Sequence, residues 1–148
     1  MSKPADLPFE TTLRVRDTCL CLHTQRAARA LARRFDEALR PVDLTNGQFS
    51  LLMSLNRPEP PRLGAVTTLL AMDRTTLTAA LKPLERRGLV EVERDPEDRR
   101  GRRLRLTPAG RKLLARAVPI WERTHAEVEA VLAKAEPDRL RRNLRVLS

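Results

Sequence analysis

The chain has 148 residues, with 29 Lys and Arg against 19 Asp and Glu, for a formal charge of +10. That length suits one domain with a real core and argues against two. The charge points to a polyanionic partner, while the lack of a bilayer-length apolar run or a signal-peptide pattern leaves a cytoplasmic protein, with no membrane partner, as the expectation.

From about Glu10 to Arg40 the sequence predicts one long helix, ended by Pro41; the segment before it, Met1–Phe9, holds two prolines and predicts a frayed arm. Leu13, Leu20, Ala27 and Leu31 form one apolar stripe, and Cys21, Ala28, Phe35 and Leu39 another. Two stripes imply a helix touched on two sides, by its own domain and by a second subunit. Cys19 and Cys21 cannot make a disulfide framework. On one continuous helix they point to nearly opposite sides, so bridging them would need the helix to open. With only His23 and His125 beside them and no CxxC spacing, a metal site has little support.

Thr45-Asn46-Gly47-Gln48 is a capping box, with Leu44 and Phe49 as its staple. The helix it opens runs through Leu55, apolar almost all round and therefore central. Pro58, Pro60 and Pro61 enforce a break. Leu63, Val66, Leu69 and Leu70 make a short amphipathic helix, and Ala71-Met72 turns the chain into another. Asp73 caps that helix, and Met72 can staple against Leu77. Leu77, Leu81 and Leu84 face inward at helical spacing. Thr75, Thr78, Ala79, Lys82 and Arg86 lie opposite, and Gly88 closes the helix as its C′ residue. Pro83 removes one backbone hydrogen bond, which predicts a bend. Two short helices with a brief connection, the second polar and exposed, form a helix-turn-helix pattern.

The period then changes. Val90 and Val92 alternate with Glu91 and Glu93, and Leu104 and Leu106 with Arg103 and Arg105, predicting two half-buried strands around a polar tip, Asp95 to Gly101. Arg99, Arg100, Arg102, Arg103 and Arg105 crowd this hairpin, a cluster that repels itself without an anion. A helix with a small polar face fits the major groove, and a thin cationic loop can enter the minor groove. Arg74, Thr75, Thr78 and Lys82 are the side chains placed to face DNA, with Ala79 able to meet a thymine methyl.

Thr107 caps the next helix and Pro108 takes its first position. It is expected to run to about Ala135, with Leu114, Ala117, Trp121, Val128 and Leu132 on one seam and a bend at Pro119. A last helix starts at Pro137, with Leu140, Leu144 and Leu147 in a stripe. Apolar stripes on the first and last helices argue for a homodimer. His23 and His125 read as helix-surface or interface residues, and Trp121 as an interface or core anchor.

Four fragments, Asp73-Arg74-Thr75-Thr76-Leu77-Thr78, Leu84-Glu85-Arg86-Arg87-Gly88-Leu89-Val90, Asp95-Pro96-Glu97-Asp98-Arg99-Arg100 and Leu106-Thr107-Pro108-Ala109-Gly110, together resemble the MarR family of bacterial winged helix-turn-helix regulators. Asp98-Arg99-Arg100-Gly101 matches the family's D-x-R-[AG] signature, and the likeness covers nearly the whole chain. The resemblance implies a mainly α (α+β) fold. A winged helix-turn-helix lobe at 45–107, with recognition helix 73–87 and wing 89–107, would lie between dimerisation helices at 10–40 and 108–148. It implies a homodimeric repressor on a pseudo-palindromic duplex, with no cofactor and no catalytic residue. By resemblance Arg100 is a minor-groove finger, oriented by Asp98 through a salt bridge, while Arg99 and Arg102 touch phosphates. The expected DNA-binding set is therefore Arg74, Thr75, Thr78, Ala79, Lys82, Arg86, Asp98, Arg99, Arg100 and Arg102. Relatives commonly carry a basic residue where Ala79 and Pro83 stand, which leaves fewer long base-reading side chains here.

Two effector readings follow. Cys21 aligns with the reactive cysteine of the family's organic-hydroperoxide-sensing branch, whose TLTPLLKRLE is similar to Thr76–Glu85; this makes Cys21 the candidate redox sensor. That branch steadies its cysteine with tyrosines, and this chain has none, holding Gln25 and Phe35 instead. A small molecule bound between the dimerisation helices and the DNA-binding lobe is the other reading. The alternative from a different class is a non-specific architectural nucleic-acid binder, which keeps the charge and loses the sequence preference. An enzyme is disfavoured, since no nucleophile elbow, phosphate loop, metal constellation or paired carboxylates stand out.

Overall fold

The computed structural model describes residues 6–148. Most of the expected N-terminal arm, residues 1–5, lies outside the described residues. The chain divides between Arg34 and Phe35 into two compact units.

The first unit corrects the expectation of one long helix. Helix α1 spans Phe9–Thr18 and α2 spans Leu20–Leu39, with Cys19 extended between them at φ −69° and ψ 108°. The break has a local cause. Cys19 N–H closes α1 on Val15 O at 2.9 Å, and the Thr18 hydroxyl turns back onto Arg14 O at 2.7 Å. Cys19 Sγ then accepts the Leu22 N–H at 3.4 Å, so one residue ends the first helix with its backbone and caps the second with its thiol. Cys19 and Cys21 are thus not on one continuous helix. Helix α1 buries no residue, and on α2 Leu20 and Leu31 stay 70% and 41% exposed.

In the second unit a single turn of 3-10 helix at Arg40–Val42 follows α2, with Asp43 in the left-handed region at φ 52°. Helix α3, Asn46–Leu55, opens on the expected capping box: Gln48 N–H donates to Thr45 Oγ1 at 3.1 Å, and Thr45 N–H donates to Gln48 Oε1 at 3.1 Å. Its Leu51, Leu52 and Leu55 are at most 2% exposed, confirming its central place. Helices α4 (Leu63–Leu70) and α5 (Arg74–Arg86) follow, joined by Ala71 in the left-handed region at φ 50°. The chain continues as an antiparallel pair, β1 (Val90–Arg94) with β2 (Arg102–Leu106), then α6 (Pro108–Val131) and α7 (Pro137–Val146). Both α5 and α6 run unbroken through their internal prolines, Pro83 and Pro119.

Leu39, Leu52, Val66, Leu77, Leu84 and Leu104 are all fully buried, so α2's last residue, α3, α4, α5 and the hairpin share one core. Each such side chain contributes about 1.5–3 kcal/mol relative to exposure. Helix α6 passes close against the residue that leads into β1. Gly110 sits on the third residue of α6, and a Cβ there would lie 2.2 Å from Leu89 O. The Thr107 hydroxyl fastens the same corner, accepting Gly110 N–H at 3.0 Å and donating to Gly88 O at 2.7 Å. Helix α7 buries no residue, and its Leu140 and Leu144, with Leu147 just past its end, are exposed.

Candidate nucleic-acid interface

Helix α5 stands with its apolar side sunk in the core, leaving the opposite side open. Leu77, Leu81 and Leu84 are at most 2% exposed, whereas Arg74, Thr75, Thr78, Ala79, Lys82 and Arg86 are all exposed. The helix starts on Asp73, whose carboxylate accepts the Thr76 N–H at 2.7 Å and the Thr76 hydroxyl at 2.8 Å. It ends in a Schellman motif around Gly88 at φ 69°, with Leu89 N–H on Leu84 O at 3.0 Å and Gly88 N–H on Glu85 O at 2.9 Å. Arg87, one residue past the exposed face, is turned away and donates to Asp43 O at 2.7 Å. The Thr78 hydroxyl is spent on Arg74 O at 2.8 Å, which leaves its oxygen lone pairs and methyl as the outward features.

The Thr76 N–H, first, and then its hydroxyl hold the Asp73 carboxyl below the usual carboxylate range. A carboxyl depressed by folding stabilises at neutral pH, and that contribution is lost as acid takes it through its lowered value, below about pH 4. Asp73→Asn keeps an acceptor for the cap but cannot titrate. Its thermal stability, followed by circular dichroism from about pH 7 to 3, is expected to fall less steeply than that of the wild type.

In the hairpin the structure separates free arginines from committed ones. The register sets Glu91 opposite Arg105 and Glu93 opposite Arg103. Arg105 donates to Glu93 at 2.6 Å and also pairs with Glu91. Arg103 pairs with the buried Asp95 at 3.1 Å and donates to Pro60 O at 3.1 Å. The expectation that the whole cluster repels itself without an anion is therefore corrected, because two of its three strand arginines, Arg103 and Arg105, are neutralised internally. Arg102, half-buried, donates to Gly101 O at 3.0 Å. Arg99 and Arg100 stand exposed at the tip, and among the described residues neither has an ion-pair partner.

Asp98 acts through the backbone rather than through a salt bridge. Its Oδ1 accepts the Arg100 N–H at 3.0 Å and its carbonyl accepts the Gly101 N–H at 2.9 Å, an Asx turn that fixes where the Arg100 side chain leaves the chain. The expected Asp98–Arg100 ion pair is absent among the described residues.

A separate cavity of about 400 Å³ opens between α3, α4 and α6, lined by Phe49, Met53, Leu69, Leu70, Val118 and Trp121 among others. Trp121 stacks on Phe49 at 6.1 Å between ring centroids and on His125 at 4.6 Å. Cys21 is exposed, and Gln25 Nε2 donates to its Sγ at 3.2 Å. Among the described residues no group of three or more His, Cys, Asp and Glu could hold a metal, and no helix is long and apolar enough to cross a membrane.

A buried-backed helix with an open polar face, preceded by a short helix and followed by an arginine-tipped hairpin, defines a winged helix-turn-helix DNA-binding protein. The MarR family pattern matches residues 44–101. The regulator MosR of M. tuberculosis, solved in complex with DNA, is 40% identical over 87% of this chain and 92% of its own, with a TM-score of 0.80. The repressor CouR, solved on a 23-mer DNA duplex, is 30% identical over 97% of this chain and 99% of its own, with a TM-score of 0.79. The transcriptional regulator HosA of Escherichia coli is 32% identical over 97 residues, 65% of this chain and 71% of HosA. The chain belongs to the MarR family and is a transcriptional regulator of that family.

Proposed function

We propose that the chain is a cytoplasmic, homodimeric repressor that binds a pseudo-palindromic operator and leaves it on a small-molecule or oxidant signal. The observation that carries this reading is the pairing of an open α5 face with two uncommitted arginines at the hairpin tip. Arg74, Thr75, Thr78, Ala79, Lys82 and Arg86 would meet the major groove, and Arg100 the minor groove, with Arg99 and Arg102 on phosphates. The residues 45–107 act as the DNA-binding lobe. The exposed leucines of α2 and α7 act as surfaces of self-association, since such stripes are costly to leave in water. Two recognition helices would then sit ~34–36 Å apart, one turn of duplex.

The test is selection from a randomised duplex pool by the full-length protein, followed by titration at fixed salt. A palindromic consensus, preferred at least ~10³-fold over unrelated duplex, supports the reading. A ratio near unity supports the architectural binder instead.

Release can be sought in two places. CouR is also solved bound to p-coumaroyl-CoA, and the aromatic-walled cavity beside Trp121 suits a flat, largely apolar ligand. Because Trp121 is the sole tryptophan, its emission reports occupancy directly. The exposed Cys21 thiol suits an oxidant. Hydroperoxide is expected to release DNA from the wild type and not from Cys21→Ser; equal release from both would remove Cys21 from the mechanism.

A further inference from the structure

Asp95 opens the hairpin loop directly after β1 yet is only 2% exposed. Aspartate is seldom buried unless it is paired, because desolvating the carboxylate costs several kcal/mol. Its partners come from three stretches of chain. Glu97 N–H donates to Oδ1 at 3.1 Å from the loop, Arg103 Nε reaches Oδ1 at 3.1 Å from β2, and Arg62 Nε lies 2.9 Å from Oδ2 from the segment entering α4. The Glu97 N–H, first, and then the two guanidiniums hold this carboxyl ionised against its burial. The Arg62 contact is ionic without an aligned hydrogen bond, so Oδ2 is a buried oxygen held by charge alone.

The same three stretches are laced together around it. Arg62 and Arg103 form an isolated antiparallel bridge, Leu104 N–H donates to Pro61 O at 3.0 Å, and Arg103 Nη1 donates to Pro60 O at 3.1 Å. Arg62 Nη2 also reaches Glu97 at 2.8 Å. Asp95 N–H closes the loop on Gly101 O at 3.1 Å, and a Cβ at Gly101 would stand 3.1 Å from Asp95 Cβ. The loop so closed carries Arg99 and Arg100, and the segment it is tied to leads into α4, which packs against α5.

We propose that Asp95 is a positioning residue for DNA binding: it clamps the root of the wing to the start of α4, so that Arg100 is held at a fixed height relative to the recognition helix before DNA arrives. The inference rests on the reading of α5 and Arg100 as DNA contacts. A wing already ordered loses less freedom on binding, and both grooves are engaged in one step. Removing the carboxylate leaves the two guanidiniums at the root with only the exposed Glu97 between them, and the tip swings.

The experiment is a double-mutant cycle in the full-length protein, titrated at fixed salt against the tightest duplex that the wild type recovers from a randomised pool. Asp95→Asn is expected to weaken binding about tenfold, and Arg100→Ala by roughly 5- to 150-fold. The double variant should bind no more weakly than Arg100→Ala alone, because Asp95 acts through that arginine. A general loss of stability would not produce this coupling; it would multiply the two effects. Multiplied effects, or an Asp95→Asn variant of wild-type affinity, overturn the proposal. Should Asp95→Asn not fold, Arg62→Gln cuts the same link at a half-exposed position and is held to the same criterion. Failure of the DNA reading itself looks different: the wild type then prefers no duplex.

Discussion

Gly110→Ala is expected to destabilise the protein by about 3 kcal/mol or more, at or beyond the upper end of what overpacking usually costs. Helix propensity alone predicts the opposite sign, since replacing glycine by alanine inside a helix is worth roughly 1 kcal/mol of stability. Geometry decides the contest. The new methyl would sit 2.2 Å from Leu89 O and 2.8 Å from Leu106 Cδ1. Leu106 could turn, but the Leu89 carbonyl is main chain and already accepts the Thr107 N–H at 3.1 Å. Either α6 lifts from the hairpin or that hydrogen bond is lost. For a domain of this size the midpoint of thermal unfolding should drop by about 6–12 °C, read by calorimetry. An unchanged or raised midpoint would overturn the close approach of α6 to the Leu89 carbonyl.

The second large effect is on binding. Arg100→Ala is expected to weaken operator affinity by about 1–3 kcal/mol, roughly 5- to 150-fold. The loss should concentrate on sites with A·T pairs under the wing, where a narrow minor groove draws in an arginine. Arg99→Ala, where the proposal puts a phosphate contact, should instead weaken all duplexes alike and lower the salt slope by about one ion. Arg105→Ala provides the contrast, because that guanidinium is already engaged by Glu91 and Glu93. Titration of the three variants against the selected duplex and an unrelated one separates these outcomes. Equal losses at Arg100 and Arg105 would show that ion pairing in the free protein does not sort the arginines.

What was legible in the sequence was what is local. Thr45 with Gln48, Asp73, Thr107 with Pro108, and Gly88 are cap signals contained within a few residues, and each does in the structure what its chemistry predicts. The strands were legible from alternation, though β2 begins at Arg102 rather than Arg103. The pairing of Arg105 with Glu91 and Glu93 was within reach too, since strand alternation already put those glutamates on the arginine face. The break at Cys19 had no signal, since a thiol is not among the usual capping groups. The burial of Asp95 was hidden for a different reason: the cation that covers it, Arg62, lies 33 positions earlier, and no local pattern announces that contact. Gly110 likewise looks like an ordinary helical glycine until the neighbouring strand is in place.

The thiol-capped joint at Cys19 has a last consequence. A ten-residue helix with nothing buried falls below the length at which a peptide holds its shape in water, so α1 must borrow its order from whatever surface covers it. Its neighbour α2 is twice as long and is anchored at its far end by the fully buried Leu39. Because the two are hinged rather than fused, the first can melt without dragging the second along. Dilution that dissociates an assembly would therefore show itself earliest as protease nicking ahead of residue 19, while the remainder of the chain still resists digestion.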